Sequence, residues 1–372
     1  MNSSKPSILI VGAGPVGLTA ALELERRGFS PRIIDCAEGP AGESRALGIH
    51  ARTLKILEPS GMTERLLAVG NKVTRFRFME QAETLGTLDL SKLDDRFAYV
   101  LVVPQAETER LLIDALAERG VAVEWNTSFV SSKLDGTKIH AQIASSGEQE
   151  ESFSADVLIG ADGSHSAVRK AAGIAFDGEG FPAEFGLADV RHRDPIPLDE
   201  ACARFLEDVT LARFPMGPHV CRYVGTREDI LKLLPGENPI EEVLWESNFH
   251  ISFRHVARYQ EGQVFLAGDA AHVHSPVGGR GMNLGIEDAA WLAWLIETGQ
   301  TERYTSDRLP VAHEVIRFTK MQTKQLLARG PAANFVRRHV APMMLKVPAI
   351  QRAAVRRLTG RDTPYPPWLT NN

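Results

Sequence analysis

Only three cysteines occur, Cys36, Cys202 and Cys221, and no two of them fall at a CxxC spacing. That count argues against both a disulfide framework and a cysteine zinc site, and it suits a reducing compartment. No apolar run reaches the roughly 20 residues that a membrane-spanning helix needs. Positive charge is not in surplus either, since 42 Lys and Arg are outnumbered by 47 Asp and Glu for a formal net charge of -5. Nucleic acid is therefore not expected as a partner. The first residues pass from a short polar stretch into SILIV, with neither an apolar leader nor a small-residue cleavage site, so a cytoplasmic protein is expected. Internal repeats and low-complexity linkers are absent. What is present is ordinary for a soluble globular chain: 372 residues, 44% hydrophobic and 24% charged. That length suffices for two domains, or for one large domain with an inserted sheet.

The short apolar run SILIV reads as a parallel strand buried on both faces. GAGPVG follows at once, then a helical pattern in Leu18, Ala21, Leu22 and Leu24, and then PRIID. This is a strand, Gly-rich turn, helix and strand in dinucleotide-binding order. Gly12 allows the tight turn, Gly14 lets backbone approach a pyrophosphate, and Gly17 lets helix and strand pack closely. Asp35, ending the second strand, is placed to take the ribose hydroxyls of an adenosine. Arg45 lies in the loop beyond, either as a solvated surface residue or as a phosphate contact.

Residues 72–103 alternate as an antiparallel sheet does, which marks a change of domain. Gln105 opens an amphipathic helix that stops at Gly120. Asp135-Gly136 signals a hairpin. A second apolar strand ends in GADG, with Asp162 at its C-terminal edge and Ser164 placed to cap the next helix. Sheet texture returns over residues 181–256. The stretch 262–293 then reads as a buried strand that breaks at Gly-Asp, passes a loop of Pro and Gly, and enters a long apolar helix. Its backbone amides and one carboxylate would converge on a charged, flat ligand. His272 and His274 lie in this stretch, and a satisfied core or loop histidine is the commoner role for each. Residues 331–372 carry seven Lys and Arg against one acid, Asp362. A solvated basic face is the commoner meaning of such a run, and an anionic membrane surface the rarer one.

GAGPVG, GADG and LAGDAAHVHSPVGGRGMNLGIEDA, in that order, resemble the FAD-dependent group A aromatic hydroxylases, the family of p-hydroxybenzoate, phenol and polyketide hydroxylases. RALGIHARTLKILEPSG and PQAETERLL fit the same family. The resemblance implies an α/β fold, a Rossmann-like FAD-binding domain interrupted by a mostly antiparallel substrate sheet, with C-terminal helices. Residues 1–71, 105–177 and 257–330 would form the first domain, 72–104 and 178–256 the second, and 331–372 a helical segment. It further implies that Gly12, Gly14, Pro15, Val16 and Gly17 hold the pyrophosphate and Asp35 the ribose. Arg45 and Gln105 would reach the phosphate and ribityl region, and Phe129 the adenine. Asp162 would serve flavin and nicotinamide binding, and Asp269 the ribityl chain. Pro276, Gly279, Gly281, Met282 and Asn283 would border the isoalloxazine, where the helix dipole favours the anionic reduced ring.

The implied activity is an FAD-dependent monooxygenase that consumes NADH or NADPH and hydroxylates an aromatic or polycyclic phenol through a flavin hydroperoxide. Molecular oxygen and a small aromatic substrate would be its partners, with no metal, no membrane span and a monomer or homodimer as the working unit. Phe185, Arg213, Phe214 and Tyr223 are the candidate substrate contacts. A thioredoxin-like C-terminal domain, common in the family, is not expected within these residues. The alternatives are a flavin-dependent halogenase or reductase on the same scaffold, and an FAD-binding but non-hydroxylating component of a biosynthetic complex. The halogenase is disfavoured because its WxWxIP signature is missing.

Overall fold

The computed structural model describes residues 5–42, 46–145, 150–207, 209–234 and 238–369. The SILIV run becomes the strand Ile8–Val11, buried at all four positions. It lies at the centre of a six-stranded sheet, between Pro31–Ile34 and Val157–Gly160, both parallel to it. Val264–Leu266 continues the parallel set beyond Val157–Gly160, and Gln260–Glu261 closes that edge antiparallel. The opposite edge is Val123–Glu124. Continuous apolar runs, rather than alternation, are what such a strand requires when both of its faces are covered. Pro15–Arg26, which packs on Gln105–Ala117 and Arg280–Thr298, supplies helical cover with them, and the three-stranded sheet of Thr127–Asp135, Lys138–Ser145 and Glu151–Ala155 adds its Phe129, Ile139, Ala141 and Ile143 to the same core.

The inserted sheet has eight strands, and its spine is a pair of 17-residue strands, Phe176–His192 and Ile240–Val256, running antiparallel. On one side of the spine follow Val220–Gly225, Thr210–Pro215, Glu200–Phe205, Arg75–Glu80 and Glu83–Asp89. One pairing, Glu200–Phe205 with Arg75–Glu80, is parallel. On the other side, His272–Val273 pairs with Arg254 and His255. This two-residue strand decides where the site forms, because it stitches the loop after GDAA to the inserted sheet. A separate small sheet joins Gly48–Ile49, Val100–Val102 and Asn71–Val73. The hairpin at Asp135-Gly136 forms between Thr127–Asp135 and Lys138–Ser145, with Gly136 at φ 60°.

Past the helix Tyr304–Leu327, the chain turns at Gly330 and lays Pro331–Phe335, Ala341–Leu345 and Pro348–Leu358 across the inserted sheet. The remaining tail folds back onto the long helix. Trp368 packs on Trp291 and Trp294 at centroid distances of 5.4 and 5.7 Å. Arg52 holds Thr363 and the Pro364 carbonyl, while Arg280 holds Asp362 and the Arg357 carbonyl.

Candidate active site

The N-terminal helix starts at Pro15 with Gly14 as its cap and no side chain bonded to its first amides. The three glycines before and within it answer to sterics. A Cβ on Gly17 would stand 1.8 Å from the Gly12 carbonyl oxygen, and one on Gly12 would stand 2.4 Å from that of Ala161. Beside Gly14 nothing lies within 4 Å, which leaves open space in front of the helix end. Val16 wedges between Gly268 and Gly285, where added Cβ atoms would meet its methyls at 2.8 and 2.6 Å. The N-terminal helix and the helix Arg280–Thr298 thereby cross closely. The second helix also begins without a side-chain cap, at Gly279 with φ 61°. Two uncapped helix N-termini therefore open onto one cavity, each offering amides and a positive dipole end. Gly14, Pro15, Val16, Pro276, Gly279, Gly281 and Met282 all line that cavity.

Asp35 accepts from the amides of Ala13, at 2.6 Å, and Ala37, at 2.8 Å. Its carboxylate braces the glycine turn and the start of the next loop at once. Asp162 accepts from the Ala167 and Val168 amides through Oδ2, while Oδ1 is buried without a partner. The cap of that short helix is Ser166, whose Oγ accepts from the Arg169 amide. Ser164, the expected cap, instead offers its carbonyl to the Arg169 guanidinium, which also donates to the Ala270 carbonyl. Arg169 thus ties the GADG loop to the GDA turn. Asp269 is exposed on that turn and lines the cavity, as does Gln105, which donates to Glu109 at 2.8 Å. Arg45 lies outside the described residues. Phe129, on the strand Thr127–Asp135, is buried in the main core and does not line the cavity.

Below the GDA turn lies a buried charged network. Asp288 receives Arg308 Nε and His272 Nε2, each at 2.7 Å, and Arg308 also donates to Glu287 at 2.6 Å. Burial opposes ionisation of Asp288, but the Arg308 charge and the His272 bond hold its carboxyl below the usual range. His272 is thus a structural histidine. His274 is different. Its Nδ1 lies 2.9 Å from the Ser275 carbonyl, an acceptor only, so Nδ1 carries the hydrogen and Nε2 is a bare acceptor, buried without a partner. Burial, with help from His272, pushes the His274 pKa down to about 3. His50 behaves alike: burial and the Arg280 charge lower it to about 3, and its Nε2 donates to the Gly278 carbonyl at 3.1 Å. Both rings are neutral at physiological pH.

Asn283 spends all four of its hydrogen-bonding positions on protein: the His50 amide, Thr53 hydroxyl, Gly48 carbonyl and Gly279 carbonyl. It fixes the loop around residues 46–50 against the helix start and does not line the cavity.

The cavity measures about 1980 Å³, roughly twice a large small-molecule pocket, so it has room for a flat cofactor end and a sizeable second molecule. Its floor is the inserted sheet, and alternation decides which residues take part. Thr210, Ala212 and Phe214 face it from one strand, and Arg222, Val224 and Thr226 from the next. Phe185 and Phe214 line the cavity, as expected. Arg213 and Tyr223 point through the other face, because neighbours along a strand project to opposite sides. Tyr223 there meets His192, hydroxyl to Nε2 at 3.0 Å, and burial raises its pKa well above the usual phenol value. Arg222 takes the place intended for Arg213. Its guanidinium closes on Asp189 with two bonds of 2.7 Å and lies over Trp245 at 5.2 Å. The parity of HVCRYVG along the strand was the available signal, but parity alone does not say which face is inward.

The opposite wall comes from the C-terminal helices, through Ala332, Ala341, Leu345, Ile350 and Leu358 among others. Arg337 reaches in over Phe205 at 4.5 Å. The basic composition of this segment concealed an apolar inner side.

A family model described as an FAD binding domain matches residues 5–238 and 225–319. The chain is 33% identical to 6-methylpretetramide 4-monooxygenase of Streptomyces rimosus, over 96% of its own length and 67% of that protein's. It is 31% identical to rifampicin monooxygenase of Streptomyces venezuelae, over 96% and 79% respectively. The chain belongs to the FAD-dependent aromatic monooxygenases. Among solved structures, anhydrotetracycline hydroxylase from Streptomyces rimosus matches this monooxygenase with a TM-score of 0.80 at 30% identity, covering 98% of this chain and 77% of that one. The p-nitrophenol 4-monooxygenase of Pseudomonas putida, with a TM-score of 0.86 at 22% identity over 96% and 99%, speaks for the fold alone.

The protein is therefore a flavoprotein monooxygenase that uses FAD, with NADH or NADPH as the reductant typical of its family, and acts on an aromatic substrate. These relatives do not favour the reductase or non-hydroxylating alternatives. FAD fits the residues present in this flavoenzyme: two uncapped helix ends suit its phosphates and its anionic ring, and the orphaned Asp162 Oδ1 awaits a donor. Among the described residues no helix is long and apolar enough to cross a membrane, and no group of three or more His, Cys, Asp or Glu could hold a metal.

Proposed function

We propose that this monooxygenase hydroxylates a large, polycyclic phenol, and the observation that carries the proposal is the broad apolar part of the cavity between the inserted sheet and the C-terminal helices, which is left for a substrate when FAD takes the end lined by Gly14, Pro15, Val16 and Asp269. The walls are mainly aromatic and aliphatic, with Phe76, Phe185, Phe214 and Trp245 on the sheet and Leu345 and Ile350 opposite. A stacked ring system gains from each of these surfaces roughly in proportion to the area it buries. The Arg222 charge is already matched by Asp189, so this pair contributes no unpaired cation for a substrate carboxylate.

FAD, once bound and reduced, supplies the chemistry that activates oxygen and delivers one of its atoms to the ring. The chain's own part is to bind, orient and keep dry. The amides at the start of the N-terminal helix around Gly14, Pro15 and Val16 would hold the pyrophosphate, with Gly12 and Gly17 allowing the turn and the close packing behind it, while Asp35 would take the ribose and Asp269 with Gln105 the ribityl region. The helix end at Gly279 to Met282 would place its dipole beside the ring and stabilise negative charge there without donating a full proton. His274 Nε2 is a permanent acceptor facing this loop, since burial keeps the ring neutral. The apolar helices across the mouth would exclude water, which protects a reactive oxygen species from wasteful decay.

Steady-state NADH and NADPH oxidation with a panel running from phenol to three- and four-ring phenols tests this reading. A polycyclic phenol is expected to accelerate oxidation and to gain one oxygen atom, while single-ring phenols accelerate it weakly. Equal stimulation by single-ring phenols, or peroxide release without product, would refute it.

A further inference from the structure

The C-terminal helices have an outer side as well as a cavity side, and the outer side is unlike the rest of this acidic molecule. Residues 331–361 carry seven Lys and Arg and no Asp or Glu, within a chain of net charge -5. The same short stretch holds the most exposed large apolar side chains of the described residues. Met343 is 70% exposed and Phe335 60%, with Val340 and Val347 beside them in sequence at 36% and 43%. None of these four lines the cavity. A single exposed Leu or Val on a surface is normal, whereas a bulky cluster rimmed by charge of one sign marks a docking face.

The chemistry of the occupant follows from the two halves of the patch. The cations Arg338, Lys346, Arg352 and Arg356, which alternate with or follow the apolar group in sequence, are exposed. Arg338 is the one with an acidic partner, Glu80, on the inserted sheet. Exposed apolar tips that need only shallow burial, on a segment whose charged side chains are all cations, match the headgroup boundary of an anionic bilayer. We propose that the outer face of residues 335–356 binds the surface of anionic lipid membranes, without spanning them. Phe335 and Met343 enter the boundary region and the surrounding Lys and Arg meet lipid phosphates. The inner side of these helices is a wall of the substrate cavity, so docking would set that wall against the bilayer. The inference holds whichever aromatic compound the site takes.

Vesicle co-sedimentation of the full-length holoenzyme tests it. The protein is expected to pellet with vesicles of phosphatidylcholine mixed with phosphatidylglycerol, to stay in solution with pure phosphatidylcholine, and to be released as salt screens the charges. The double variant Phe335→Asp/Met343→Asp should lower binding to the mixed vesicles by about tenfold or more, because two buried apolar tips are lost. Its FAD content and NADH oxidation in solution should match the parent, since both side chains are exposed and neither lines the cavity. The proposal is overturned if the parent stays in the supernatant with anionic vesicles at low salt, or if the double variant pellets equally well. It is also overturned if the parent is a dimer that the variant dissociates while neither binds vesicles, which would make the patch a subunit interface.

Discussion

Replacing Asp288 by Asn probes the buried network that supports the GDA turn. The carboxylate receives Arg308 at 2.7 Å, His272 at 2.7 Å and the Gly268 amide at 3.4 Å, and Asp288 and Arg308 are wholly buried. An amide has one oxygen for these three donors. If that oxygen stays on Arg308, the NH2 group faces His272 Nε2, which must then carry its hydrogen on Nδ1, a buried atom with no partner. The negative charge opposite Arg308 is lost in either orientation. Breaking a buried ion pair typically costs about 3–5 kcal/mol. Glu287 still holds Arg308 at 2.6 Å, so the lower end, about 3 kcal/mol, is the expected loss. That is a large part of the roughly 5–15 kcal/mol that keeps a protein folded. Urea unfolding of the FAD-free protein, followed by tryptophan fluorescence, measures it. The turn that carries Asp269 should loosen with it, so FAD should dissociate more readily. A loss below about 1 kcal/mol, with unchanged FAD content, would refute the idea that this network organises the flavin end.

Asp269→Ala should give a folded protein that purifies largely without FAD; a fully yellow preparation would remove Asp269 from the ribityl assignment. His50 and His274, both held near a pKa of about 3, contribute stability that is complete above the unfolded value near 6.5 and is lost as pH falls toward 3. Between pH 7.5 and 5 each should account for about 2 kcal/mol of the decline, because the unfolded chain takes up the protons that the folded one refuses. His274→Asn should remove about half of this combined histidine contribution in denaturant titrations at the two pH values, and an unaltered decline contradicts the buried neutral assignment. On the inserted sheet, Ala212→Trp should narrow the cavity and abolish stimulation by polycyclic phenols with FAD retained. Tyr223→Phe, on the reverse face, should leave that stimulation unchanged and lower stability by about 1 kcal/mol through the lost bond to His192. Reversed outcomes for this pair would mean that the faces of the strand have been assigned the wrong way round.

Legibility in the sequence followed the range of the interactions concerned. Gly12, Gly14, Gly17 and the Gly-rich loop before Met282 could be read directly, because their glycines answer to contacts a few residues away and to helix ends that neighbouring residues build. The apolar runs of the six-stranded sheet were readable for the same reason, since a strand covered on both faces has no polar side to alternate. The cap at Ser166 rather than Ser164 was a two-residue error within a correctly placed turn. Asn283 was expected to border the cofactor, yet it does not line the cavity, and three of its four bonds go to residues 48–53, more than 200 positions earlier.

Sequence alone determined the family, the cofactor and the N-terminal strand, Gly-rich turn and helix, because these rest on local geometry that a short motif must satisfy. The tertiary structure decided which side of each inserted-sheet strand faces the cavity, and so exchanged Arg213 and Tyr223 for Arg222 and Val224. It also decided that a basic tail becomes the second wall of the cavity. A period of two fixes that neighbouring residues oppose one another but not which of them faces the site, and the partner across a cavity is chosen by packing between segments distant in the chain.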